Sequence, residues 1–132
     1  MPSIADSYEM IGRILAKLIL GGLRRQDMKA TDILGGDIDF EARRHFSDVV
    51  IWLLTEGLVT RASLYTDGTF VGLQLTSKGI AAIEKGTFQG PSGASIRETV
   101  EAKPDGGLGS DTYGKIGSFV GGLLGGFAQS AS

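Results

Sequence analysis

Glycine divides this chain. It supplies 21 of the 132 residues, where average usage is roughly 7%. Apart from a dense C-terminal run, the glycines fall largely at breaks between apolar-patterned segments: 21–22, 35–36, 57, 68 and 86. Glycine weakens helices and strands because it has the most backbone freedom to lose on ordering. A chain cut this way must build its core from short elements. The glycines keep no three-residue period and only three prolines accompany them, which excludes a collagen-like helix. Hydrophobic residues at 42% are sufficient for one core, and the length suits one main domain.

Composition also excludes chemistry. There is no cysteine, so disulfides, thiolate metal sites and cysteine nucleophiles are out. A single histidine rules out His-rich metal sites. No P-loop, GxGxxG, GxSxG or HExxH string occurs. The alternate carboxylates Asp37, Asp39 and Glu41 lack the spacing of a calcium loop and read as helix-capping residues. His45 has no carboxylate partner in sequence and reads as a surface or contact residue, and Trp52 as a core or interface anchor. A non-enzyme is expected, with no cofactor and no metal. The opening MPSIADSYEM has no basic segment followed by an apolar run, so no secretory export is expected and a cytoplasmic setting is.

Three segments follow. Residues 1–86 read as a domain, 87–112 as a flexible linker, and 113–132 as a Gly-rich apolar tail. Ile4, Tyr8, Ile11, Ile14, Leu15, Leu18 and Ile19 keep helical spacing up to Gly21. A short second helix is expected over 28–34. A third runs from about Phe40 to Glu56, capped by Asp37 or Asp39, with Phe46, Val49, Val50, Leu53 and Leu54 as its apolar stripe. The β-rich runs 58–64 and 70–76 flank Asp67-Gly68, a hairpin signal because Gly allows φ > 0. Val71, Leu73 and Leu75 alternate toward the core. A last helix starts near Ser77 and ends at Gly86. In the linker, Ser95-Ile96-Arg97-Glu98 has a capping-box pattern and predicts a short helix over 95–102.

Helix, short helix, longer helix, hairpin, helix is the order of a winged helix-turn-helix. The strings Trp52-Leu53-Leu54-Thr55-Glu56-Gly57-Leu58-Val59 and Leu75-Thr76-Ser77-Lys78-Gly79-Ile80 sharpen the match. Together they resemble small bacterial and prophage winged-helix proteins of the YjcQ-like kind, over about residues 4–86. The resemblance implies an α+β fold of three helices, a β-hairpin wing and a C-terminal helix, here followed by the linker and tail. In DNA-binding members the third helix enters the major groove and the wing touches backbone. The matching positions are Arg43, Arg44 and Ser47, beside Glu41 and Asp48, with Arg61, Thr66 and Thr69 on the wing. Residues 1–86 carry ten Lys and Arg against eleven Asp and Glu. No global positive field therefore draws in phosphate, and a local patch would have to serve.

In the tail, Gly117, Gly121 and Gly125 form GxxxGxxxG. On a helical wheel Tyr113, Ile116, Phe119, Val120, Leu123, Leu124 and Phe127 share one face, and Gly114, Ser118, Gly121, Gly122, Gly125, Gly126 and Gln129 the other. The small face suits close helix–helix contact, and the pattern resembles a glycine zipper. Each Gly costs about 1 kcal/mol against Ala in a helix, so six cost on the order of 6 kcal/mol. Such a tail is helical only against a partner surface, another copy or lipid. Three states stay open: a disordered tail, a tail docked on its own domain or in a homo-oligomer, and a membrane-inserted one. Two functional readings follow: a DNA-binding regulator that self-associates, and an adaptor whose tail oligomerises or enters a membrane.

Overall fold

The hydroxyl of Ser3 accepts from the Asp6 amide while the Asp6 carboxylate accepts from the Ser3 amide, and this reciprocal box starts the first helix, α1 (Ile4–Leu20). A computed structural model describes residues 2–64, 67–88, 90, 93–105 and 107–131, with side-chain positions in the last helix up to Leu124. After α1 come β1 (Gln26–Met28), α2 (Ala30–Leu34), α3 (Phe40–Thr55), β2 (Val59–Thr60), β3 (Ser63–Leu64), β4 (Phe70–Leu75), α4 (Ser77–Ile83), α5 (Ile96–Glu101) and α6 (Ser110–Ala131). The fold is α+β. One small antiparallel sheet has β4 at its centre, β1 on one side and β2 with β3 on the other.

Side-chain caps start the next helices, the first of them an expected one. Asp39 accepts from the Ala42 amide at 2.8 Å and begins α3; Thr76 accepts from the Gly79 amide at 3.1 Å and begins α4. Gly57, at φ 78°, ends α3 in a conformation open mainly to glycine. The core gathers Ile14, Leu15 and Leu18 of α1, Phe46, Val50 and Leu53 of α3, and Phe70 and Leu73 of β4. Phe46 meets Phe70 edge to face, with centroids 6.0 Å apart.

Several expectations are corrected. Met28 belongs to a strand, not to the second helix, which starts at Ala30. Val71 does not share the core face with Leu73 and Leu75; it is half-buried, while Phe70 is fully buried. The reason is Gly72. Gln26 pairs with Leu73 but Met28 pairs with Phe70, so one residue of β1 stands against two of β4. Gly72 fills this bulge at φ 70° and donates its amide to Asp27 Oδ1 at 3.0 Å. The alternation changes phase there. The last helix of the domain ends at Ile83, before Gly86. Ile4, counted with the apolar stripe of α1, is 68% exposed.

Among the described residues of 87–112, several pack on the rest of the chain. Phe88 is buried and meets Phe119 edge to face at 5.4 Å, and Ile96 and Val100 of α5 are buried in the same core. Arg97 pairs with Glu84 at the end of α4 and with Glu101. The Ser95–Glu98 capping box is formed.

The tail is helical and docks antiparallel on α1. Tyr113, Ile116 and Val120 are buried. The expected small face takes part at Gly121, where a Cβ would stand 3.0 Å from Tyr8 Cε1, but it does not carry the contact alone. Contact runs through the bulky stripe, with Gly117 inside it. A Cβ on Gly117 would overlap the backbone carbonyl of Tyr8, and a Cβ on Gly12 of α1 would overlap that of Tyr113. Gly114 and Gly122 face open space. Burying bulky apolar side chains is worth roughly 1.5–3 kcal/mol each. One glycine from each helix suffices to bring the backbones together, so the apolar stripe wins the interface. No helix among the described residues is long and apolar enough to cross a membrane.

Two expected results arise here. Ser95→Ala removes the acceptor for the Glu98 amide and is expected to destabilise the protein by about 1 kcal/mol in urea unfolding. Amides also hold three carboxylates below their usual range: Ser3 on Asp6, Ser95 on Glu98 and Thr69 on Asp67. Their folded pKa values lie below the unfolded ones. Their stabilisation is complete above about pH 4–5, near the unfolded carboxylate values, and is lost as pH falls through the folded values. The thermal midpoint is expected to be level from neutral pH to about pH 5 and to drop below about pH 4. Asp6→Asn with Glu98→Gln should shrink that drop; an unchanged acid limb would remove the boxes as its cause.

Candidate functional site

The solvent face of α3 is built by its amphipathic period. Because Phe46, Val49, Val50 and Leu53 point to the core, residues 40, 44, 48 and 51 point away from it. Arg43 and Arg44 are both exposed, and Ser47 is half-buried. One residue apart on a helix means about 100° of rotation, so the two arginines diverge. Arg44 lines a cleft on one flank of α3 together with Glu41 and Asp48. Arg43 and Ser47 share the other flank. Arg61 is exposed between β2 and β3, on the side of β4 away from β1. Thr69 is half-buried, and its amide donates to Asp67 Oδ1 at 3.0 Å, shaping the turn into β4. Thr66 lies outside the described residues, as do the side chains at Gly125 and Phe127. Phe119 and Leu123 are half-buried on α6, and Gly121 sits beneath the Tyr8 ring.

The same face is not purely basic. Phe40 is 75% exposed and Ile51 48%. Both project from α3 among the charged residues.

The cleft is what sequence reading missed. It has a volume of about 670 Å³ and lies between α1, α3 and α6. Ile11 and Val49 form apolar walls; Tyr8, Trp52 and Gly121 border it. Ser7 Oγ and His45 Nε2 are hydrogen-bonded across it at 3.0 Å, which gives His45 a partner thirty-eight positions away. The available signal was weak. Tyr8 and Trp52 are amphipathic aromatics at the edges of two apolar stripes, a placement that suits a half-buried rim.

The strings that carried the resemblance interlock. Thr76 donates its hydroxyl to the Gly57 carbonyl and its amide to the Leu58 carbonyl at 3.1 Å, and Lys78 Nζ donates to the Glu56 carbonyl at 2.8 Å. Gly79 lets α4 approach Leu58: a Cβ there would overlap the Leu58 carbonyl. This lock sets the angle between α3 and the hairpin. Comparison with protein-family models, with curated proteins and with solved structures returned no match for the chain.

Proposed function

We propose that this chain is a non-catalytic winged-helix protein that binds DNA, with α3 as the recognition helix and the β3–β4 turn as the wing. The observation that carries the reading is the element order. A short β1 stands between α1 and α2, and pairs with β4 beside the hairpin that follows α3. Arg43, Arg44 and Arg61 are exposed on the two elements such a module would use. The acidic neighbours Glu41 and Asp48 limit attraction to phosphate, so binding is expected to be weak without a matching sequence and steep in salt. The tail reads as a brace for α1, since Gly117 already serves that contact.

Fluorescence anisotropy with a mixed-sequence duplex tests this at low salt. Binding should weaken as salt rises, by a slope of about 0.9 per phosphate contact. Arg43→Ala with Arg44→Ala is expected to cost about tenfold or more in affinity, within the roughly 1–3 kcal/mol of a good arginine contact. No binding at low salt, or a double variant equal to the parent, would sink the proposal. The exposed Phe40 and Ile51 favour a second reading, an adaptor that contacts protein through α3. In that case Phe40→Ser with Ile51→Ser should abolish the partner contact and leave thermal stability unchanged.

A further inference from the structure

We infer that the cleft between α1, α3 and α6 binds a neutral small molecule with an aromatic or apolar body and one hydrogen-bond donor. Its volume, about 670 Å³, is the size of a small-molecule pocket. Ile11 and Val49 supply dry walls, both nine-tenths or more buried. Tyr8 and Trp52 are half-buried at its border and offer ring surface. Ile4 lines the cleft too, yet it is 68% exposed. A branched apolar side chain left in water beside dry walls has burial still to gain. An apolar body seated in the cleft covers it.

The charges favour neither sign. Arg44 and Asp48 line the cleft from α3, and Glu41, also on its lining, carries an interaction of its own. One guanidinium thus stands against one carboxylate four residues away, and their fields oppose each other over the same opening. A charged ligand would give up water with no net field to offset the loss. The polar point is the Ser7–His45 couple, joined Oγ to Nε2 at 3.0 Å. A hydroxyl oxygen has two lone pairs, and His45 uses one of them at most. Whichever partner donates, Ser7 Oγ can still accept from a ligand O–H or N–H. Arg44 belongs both to this rim and to the proposed DNA contact. The ligand takes no charge from it, so binding measured without DNA separates failure of this assignment from failure of that reading.

Trp52 is the sole tryptophan, so its fluorescence reports the cleft directly. The full chain is titrated, without DNA, with benzyl alcohol, benzyl methyl ether, benzylammonium and benzoate. A saturable change is expected with benzyl alcohol, at least about fivefold tighter than with either ion. The methyl ether cannot donate and should bind about threefold or more weaker than the alcohol, the usual worth of one hydrogen bond. Ser7→Ala with His45→Phe removes the couple without orphaning either partner and should erase that difference. Ile4→Ser, at an exposed position, should weaken the alcohol about threefold. Arg44→Gln and Asp48→Asn should shift the two ions in opposite directions and leave the alcohol within about twofold. Circular dichroism on each variant confirms that the fold is kept. No saturable change, an ion binding as tightly as the alcohol, an alcohol preference that survives loss of the couple, or Ile4→Ser matching the parent would each overturn the assignment.

Discussion

Gly117→Leu is expected to be among the most damaging single changes in the chain, costing about 3 kcal/mol or more. The new side chain has no room, because even its Cβ would fall on the Tyr8 carbonyl. That obstacle is helix backbone and cannot swing aside. Two outcomes are open to the molecule. It can keep α6 docked and separate the helices, opening a gap along Tyr113, Ile116 and Val120. It can also release α6, exposing those same side chains, each worth roughly 1.5–3 kcal/mol when buried. Either route should lower the thermal midpoint by roughly 10–15 °C in a chain of this size. Release has its own signature, faster tryptic cleavage after Lys115. The controls lie on the same helix. Gly114 and Gly122 meet nothing within 4 Å of an added Cβ. There Gly→Ala recovers helix propensity and should stabilise by about 0.5–1 kcal/mol. Opposite signs at positions three and five residues away from one another separate a packing glycine from a merely tolerated one. Gly117→Leu matching Gly122→Leu would remove the close approach from the account.

This pair of signs also shows what the sequence could and could not reveal. The boundaries of α3 were readable, since Asp39 and Gly57 act locally, through a cap and a positive φ. The same holds for Ser95 and Glu98, whose capping box needs only four residues. β1 was not readable. Gln26-Asp27-Met28 has no alternation of its own and is a strand only because β4 pairs with it around the Gly72 bulge. The dock of α6 was half readable. Its apolar stripe and its need for a partner surface followed from spacing and glycine cost. That the partner is α1 did not follow, because Gly12 in sequence is only one weak helix residue among strong apolar ones. The cleft depends on Ser7, Tyr8, His45, Trp52 and Gly121, which three helices bring together. No local window contains them. For the proposed DNA contact, Arg43 and Arg44 were visible as a basic pair that diverges by about 100° on a helix, but that Arg44's flank borders the cleft depends on how α3 docks against α1 and α6.

Gly79→Leu is the second large effect, expected to cost about 3 kcal/mol. Residue 79 lies in the first turn of α4, where alanine or leucine would ordinarily help the helix by up to about 1 kcal/mol. Here the Cβ would overlap the Leu58 carbonyl, which already accepts the Thr76 amide. Moving α4 away would stretch that bond and those of Thr76 and Lys78 to the Gly57 and Glu56 carbonyls. The clash therefore exceeds the propensity gain, and the sign is destabilising. Ser77→Ala, exposed two residues earlier, is the control and should change little. The position also bears on function. Glu56, Gly57 and Leu58 join the end of α3 to β2, so the lock at Gly79 sets the recognition helix against the hairpin. Under the DNA-binding proposal, Gly79→Leu should lower affinity even at a temperature where most molecules remain folded, whereas Gly117→Leu, acting behind α1, should lower stability first. Equal losses of affinity from both variants, measured well below either thermal midpoint, would show that the α3–hairpin angle is not what DNA reads.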